Sequence, residues 1–142
     1  MDWRAPRSPG SCGAARGKSI GKRIAQRVHH GEHSRFAELN GGLRIHYQEA
    51  GAVGAPPIIL IHGFCASTFV WSDVLLPLAA EGFRVIAMDL VGFGFSDKPH
   101  DGEYTIEYQA RMIARLMEHL GVERGAVIGS SYGGAVVDRL RP

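Results

Sequence analysis

The most regular stretch of the chain is an alternation: Leu43, Ile45 and Tyr47 are apolar, while Arg44, His46 and Gln48 between them are polar. Side chains two apart share one face of a strand, so this pattern predicts a half-buried β-strand. Asn40-Gly41 just before it has the positive-φ preference of a tight turn, and residues 36–50 read as an antiparallel hairpin. After a loop over residues 51–56, Pro57-Ile58-Ile59-Leu60-Ile61 is apolar throughout, the pattern of a central parallel strand buried on both faces. A helix is predicted over residues 72–80 and a second apolar strand over 83–89. Within residues 104–120, Ile106, Ala110, Ile113, Met117 and Leu120 fall on one helical face, and Gly121 supplies the stop. A third short strand, residues 126–128, runs into Ser130-Ser131-Tyr132-Gly133-Gly134 and the start of another helix. Strands alternating with helices specify an α/β fold with a parallel sheet covered on both faces.

A length of 142 residues suits one domain, and 45% hydrophobic with 21% charged residues provides for a core rather than a disordered chain. No apolar run approaches the roughly 18–20 residues of a membrane span. Two cysteines, Cys12 and Cys65, are too few for a disulfide scaffold and lack metal-binding spacing, which favours a reducing, cytoplasmic setting. The net charge of +2 hides an asymmetry: residues 1–35 hold eight Lys/Arg against two acids, and the remainder eight against twelve. Residues 1–35 are expected to be a basic, disordered tail and residues 36–142 the folded domain. An organellar transit peptide shares the tail's Arg-rich, acid-poor composition, as does non-coding sequence translated from a start set too far upstream.

The string with the most chemistry is Gly129-Ser130-Ser131-Tyr132-Gly133, a G-x-S-x-G sequence where a strand meets a helix. The glycines allow so sharp a turn that Ser131 stands at its tip, with the Tyr132 N–H as a natural oxyanion donor. An ordinary glycine-rich loop has the same letters, so context decides. His62-Gly63-Phe64 leaves the buried strand that ends at Ile61, and Asp89-Leu90-Val91-Gly92-Phe93-Gly94-Phe95-Ser96-Asp97 leaves the next strand in the same direction. Three loops then meet at the carboxyl edge of one sheet, where open α/β sheets build sites.

These three motifs, in this order and at this spacing, resemble the amino-terminal half of an α/β-hydrolase fold protein of the serine-nucleophile type. The resemblance implies an antiparallel hairpin, three parallel strands and helices on both faces, truncated after the nucleophile elbow. It implies Ser131 as nucleophile, the main-chain N–H groups of Phe64 and Tyr132 as oxyanion hole, and no cofactor or metal. His62, Gly63, Gly129, Gly133 and Asp89 then shape the site, His62 bracing its turn and Asp89 capping a strand end. The substrate implied is a small carboxylic ester or related carbonyl compound, cleaved through an acyl-enzyme. A serine here argues against dehalogenase or epoxide hydrolase chemistry, which the family associates with aspartate at this place. The family's triad acid and histidine follow the serine, and this sequence stops eleven residues after Ser131. Two readings stay open: a serine hydrolase whose acid and base lie elsewhere, or an inactive fragment, unstable or acting as a binding partner. The strand at 126–128 is expected to be an apolar edge that invites self-association.

Other signals are weaker. Gly17-Lys18-Ser19 lacks the glycine five positions earlier that a phosphate loop needs, and position 97 denies Gly92-Phe93-Gly94 its third glycine. His29, His30 and His33 with Glu32 read as a solvated cluster, and His100 and His119 as solvated single residues. Trp71, Phe64 and Phe69 are candidates for an acyl pocket, with core packing expected for at least two of them; Cys65 reads as a small buried filler. The basic tail has no interleaved aromatics, so no nucleic-acid partner is expected.

Overall fold

The computed structural model describes residues 31–39 and 41–140. Asn40, Cys12, Gly17-Lys18-Ser19, His29 and His30 lie outside the described residues, as does the expectation for the tail as far as residue 30.

Five strands, β1 (Ser34–Leu39), β2 (Leu43–Ala50), β3 (Pro57–Ile61), β4 (Arg84–Met88) and β5 (Ala126–Gly129), form one sheet in the order β1-β2-β4-β3-β5. β1 and β2 are the antiparallel hairpin, and β2 also meets β4 antiparallel; β4, β3 and β5 run parallel. A 3-10 turn (Thr68–Trp71) leads into α1 (Ser72–Ala80), between β3 and β4; α2 (Ile106–His119) precedes β5 and α3 (Tyr132–Asp138) follows it. β1 begins at Ser34, two residues before the expected start of structure.

The sheet has a core on each face. Ile45, Ile59, Ile61, Ile86 and Met88 pack against Ile113 and Leu116 of α2 and Val136 of α3, while Ala50, Ile58, Leu60, Val85 and Ala87 pack against Leu75 of α1. α2 is delimited by its own chemistry. The Thr105 side chain accepts from Tyr108 N–H at 3.1 Å at the start. At the end, Gly121 at φ 66° lets its own N–H reach Glu118 O and the Val122 N–H reach Met117 O. Buried Arg84 ties the layers together, pairing with Glu49 at 2.7 Å and donating to Leu120 O at 3.1 Å.

One expectation fails here. β2 is not half-buried, for His46 and Gln48 on its polar side are 0% and 2% exposed. β2 is an interior strand, and its polar residues are taken up by hydrogen bonds instead of water: the His46 ring reaches Ser34 and Asp89, while its main-chain N–H donates to Ser96 Oγ. Among the described residues β5 is an edge of the sheet, as the sequence predicts, with Ile128 45% exposed.

Candidate active site

Ser131 lies between the end of β5 and the start of α3 with φ 52° and ψ −118°, a conformation that L-residues rarely adopt. The turn is held by Ser130 N–H donating to Ile61 O at 3.0 Å, Gly133 N–H to Ser130 O at 2.9 Å and Gly134 N–H to Ser131 O at 2.8 Å. Its glycines are compulsory: a Cβ on Gly129 would stand 2.3 Å from Gly133 O, and one on Gly133 2.5 Å from both Ile61 O and His62 O. The Ser131 side chain is exposed, and among the described residues no side chain hydrogen-bonds its Oγ.

The loop after β3 lies against this serine. A Cβ position on Gly63 would be 3.3 Å from Ser131 Cβ and 3.9 Å from its Oγ. His62 fixes the loop's course. Its Nε2 accepts from Leu90 N–H at 3.0 Å, and because an amide can only donate, that nitrogen carries no proton; Nδ1 then donates to Gly63 O at 2.7 Å. Burial holds the His62 pKa below its ordinary value, outweighing the opposite pulls of Gly63 O and the Asp89 charge. With both nitrogens engaged, His62 has no lone pair to offer as a base. Its 4.0 Å approach to Asp89 Oδ1 is proximity of charge and not a hydrogen bond.

Asp89 joins the loops below the serine. Fully buried, it accepts from His46 Nδ1 at 2.7 Å, Thr68 N–H at 2.6 Å and Phe95 N–H at 2.9 Å, and its own carbonyl accepts from Ser96 Oγ at 2.6 Å. Burial alone raises a carboxyl pKa, but the His46, Phe95 and Thr68 hydrogen bonds together outweigh it and hold Asp89 below its ordinary value. Gly94, at φ 52°, passes so close that a Cβ there would fall 2.1 Å from Asp89 Oδ2. His46 is the residue that sequence reasoning missed. Its signal was a polar side chain on a strand that the topology makes interior.

Phe64, Gly92, Phe93, Tyr104 and Tyr132 line a concavity of about 260 Å³ beside the elbow. Phe64 meets Phe93 and Tyr132 edge to face, with centroids 5.6 and 6.0 Å apart. A larger hollow of about 700 Å³ lies elsewhere, lined by Met117, Val122, Val127 and Leu140 along β5 and α2. Only one of the three proposed acyl-pocket aromatics packs in the core: Trp71 lies against the Leu75 cluster, whereas Phe64 is 68% and Phe69 43% exposed. Cys65 is exposed at φ 54°, not a buried filler, because the turn that points Phe64 outward carries it to the surface. His100 and His119 are exposed, as expected. His33 Nδ1 donates to Glu49 O at 3.1 Å, and no group of His, Cys, Asp or Glu among the described residues is arranged to hold a metal ion. Nor is any helix among them long and apolar enough to cross a membrane.

The family model for the alpha/beta hydrolase fold matches residues 56–139. The mesoderm-specific transcript protein of Mus musculus is 42% identical over 103 residues, covering 70% of this chain and 31% of that protein. Haloalkane dehalogenase 2 of Mycobacterium tuberculosis is 37% identical, over 72% of this chain and 35% of its own length. A crystal structure of a membrane phospholipase A superposes with a TM-score of 0.68 at 37% identity, covering 71% of this chain and 32% of that one. The chain thus spans about a third of the length of the curated relatives it matches. Its strand order, its strained serine turn and the match over residues 56–139 make this chain a member of the α/β-hydrolase fold family.

Proposed function

We propose that the protein is a serine hydrolase that cleaves a small carboxylic ester, or a related carbonyl substrate, through an acyl-enzyme. The observation that carries this reading is the φ of 52° at Ser131, held between β5 and α3 with the Gly63 backbone alongside. In this reading Ser131 Oγ attacks the carbonyl carbon, and the N–H groups of Phe64 and Tyr132 receive the developing oxyanion. The aromatic concavity takes the apolar part of the substrate. His62 is not the base, since it is committed to Leu90 and Gly63, and no base or acid for Ser131 is assigned among the described residues. Relatives named for dehalogenation and for phospholipid cleavage both match this chain; a serine at residue 131 sides with ester chemistry. Cytoplasmic placement belongs to the same reading, supported by a free, exposed Cys65.

The test is a fluorophosphonate probe with adducts mapped by mass spectrometry, alongside p-nitrophenyl ester turnover. Ser130 is the internal control, also exposed and one residue away. An oxyanion donor contributes about 10²–10³-fold, so Ser131 is expected to label at least about 100-fold faster than Ser130, with turnover lost in Ser131→Ala. Equal labelling of the two serines would contradict the reading.

A second reading rests on β5. Its outer edge is unpaired among the described residues and Ile128 is exposed on it, which supports a non-catalytic role in self-association or partner binding. Sedimentation separates the two: a concentration-dependent oligomer that Ile128→Lys disperses, without Ser131 labelling, favours the second.

A further inference from the structure

Ser34 and His46 are diagonal neighbours on one face of the hairpin, since Phe36 pairs with His46 and Ser34 with Gln48. Ser34 Oγ lies 2.9 Å from His46 Nε2, and Nδ1 of the same ring lies 2.7 Å from Asp89 Oδ2. The imidazole is fully buried and set between the rings of Phe36 and Phe95, with centroids 5.1 and 5.3 Å away. Asp89 cannot swing away from it, because its other oxygen accepts from Thr68 N–H at 2.6 Å. In the neutral ring Nδ1–H donates to the carboxylate, leaving Nε2 to accept the Ser34 hydroxyl proton. Ser34 itself is only half-buried.

We propose that Ser34 is a second nucleophilic serine, activated by His46 and Asp89, which accepts an acyl or phosphoryl group from an activated ester. With a dialkyl fluorophosphate, Ser34 Oγ forms a bond to phosphorus as the P–F bond breaks. The hydroxyl proton passes to His46 Nε2, fluoride departs, and Asp89 stabilises the imidazolium until it releases the proton to water. The Ser34 N–H is already given to Gly31 O at 3.1 Å and does not hold an oxyanion. Transfer to Ser34 is therefore a single covalent event and not a turnover. The proposal is independent of the reading of Ser131.

The experiment exposes the full chain to a dialkyl fluorophosphate and follows adducts at Ser34 and Ser67 by peptide mass spectrometry. Ser67 is half-buried like Ser34, but its Oγ accepts from Phe69 N–H. General-base assistance contributes about 10²–10⁴-fold, so Ser34 is expected to react at least about 100-fold faster than Ser67, in the unmodified chain and in Ser131→Ala alike. His46→Gln is expected to bring Ser34 within about tenfold of Ser67. Equal rates at the two serines in the unmodified chain would overturn the proposal, whether or not His46→Gln folds. So would a Ser34 advantage that survives undiminished in a folded His46→Gln protein.

Discussion

Asp89 and His62 are both fully buried, and both carry pKa values displaced downward, which makes acid their common weakness. Asp89 sits below its ordinary 3.8, so the stability it contributes is complete above about pH 4 and is lost as the pH falls toward its folded value. His62 sits below its ordinary 6.5. The unfolded chain therefore takes up a proton that the folded chain refuses, and stability declines as the pH drops below 6.5. Denaturant midpoints measured from pH 8 to pH 3 are expected to fall in two stages, and His62→Gln to flatten the first. Asp89→Asn replaces one of the two oxygens that accept from His46, Thr68 and Phe95 with an amide that cannot accept, and is expected to cost about 1–3 kcal/mol near neutrality, read from urea unfolding. Gly133→Ala forces a methyl onto two carbonyl oxygens 2.5 Å away. Such overpacking costs about 1–3 kcal/mol, seen as a lowered Tm, and by displacing the turn it is expected to slow Ser131 labelling.

At the scale of elements, periodicity was sufficient where burial follows polarity. β3 is uniformly apolar and proves interior; α2 has a clean apolar face, and its ends fall within two residues of the predicted ones because Thr105 and Gly121 terminate it chemically. Thr105→Ala is expected to cost about 1 kcal/mol, measured by thermal or urea unfolding. Periodicity misled at β2, where the polar His46 ring is buried by acquiring a partner 43 positions away in sequence, Asp89. No local pattern announces such a partner. The same holds for Cys65 and Phe64, whose exposure follows from the turn's backbone conformation and not from hydrophobicity.

For the whole molecule, the meeting of three loops was legible because each follows a parallel strand, and parallel strands deliver their carboxyl ends to one edge of the sheet. The network beneath that edge was not legible. It depends on β2 running antiparallel beside β4, which brings His46 to Asp89. The account's central claim is that residues 64 and 132 direct their amides at the reaction centre of Ser131. A crystal structure of the phosphonylated chain tests it most directly. The account predicts an adduct on Ser131 whose phosphoryl oxygen lies about 2.7–3.1 Å from both the Phe64 and Tyr132 nitrogens. An adduct on Ser130, or a phosphoryl oxygen on Ser131 turned to solvent with neither amide within reach, would contradict it.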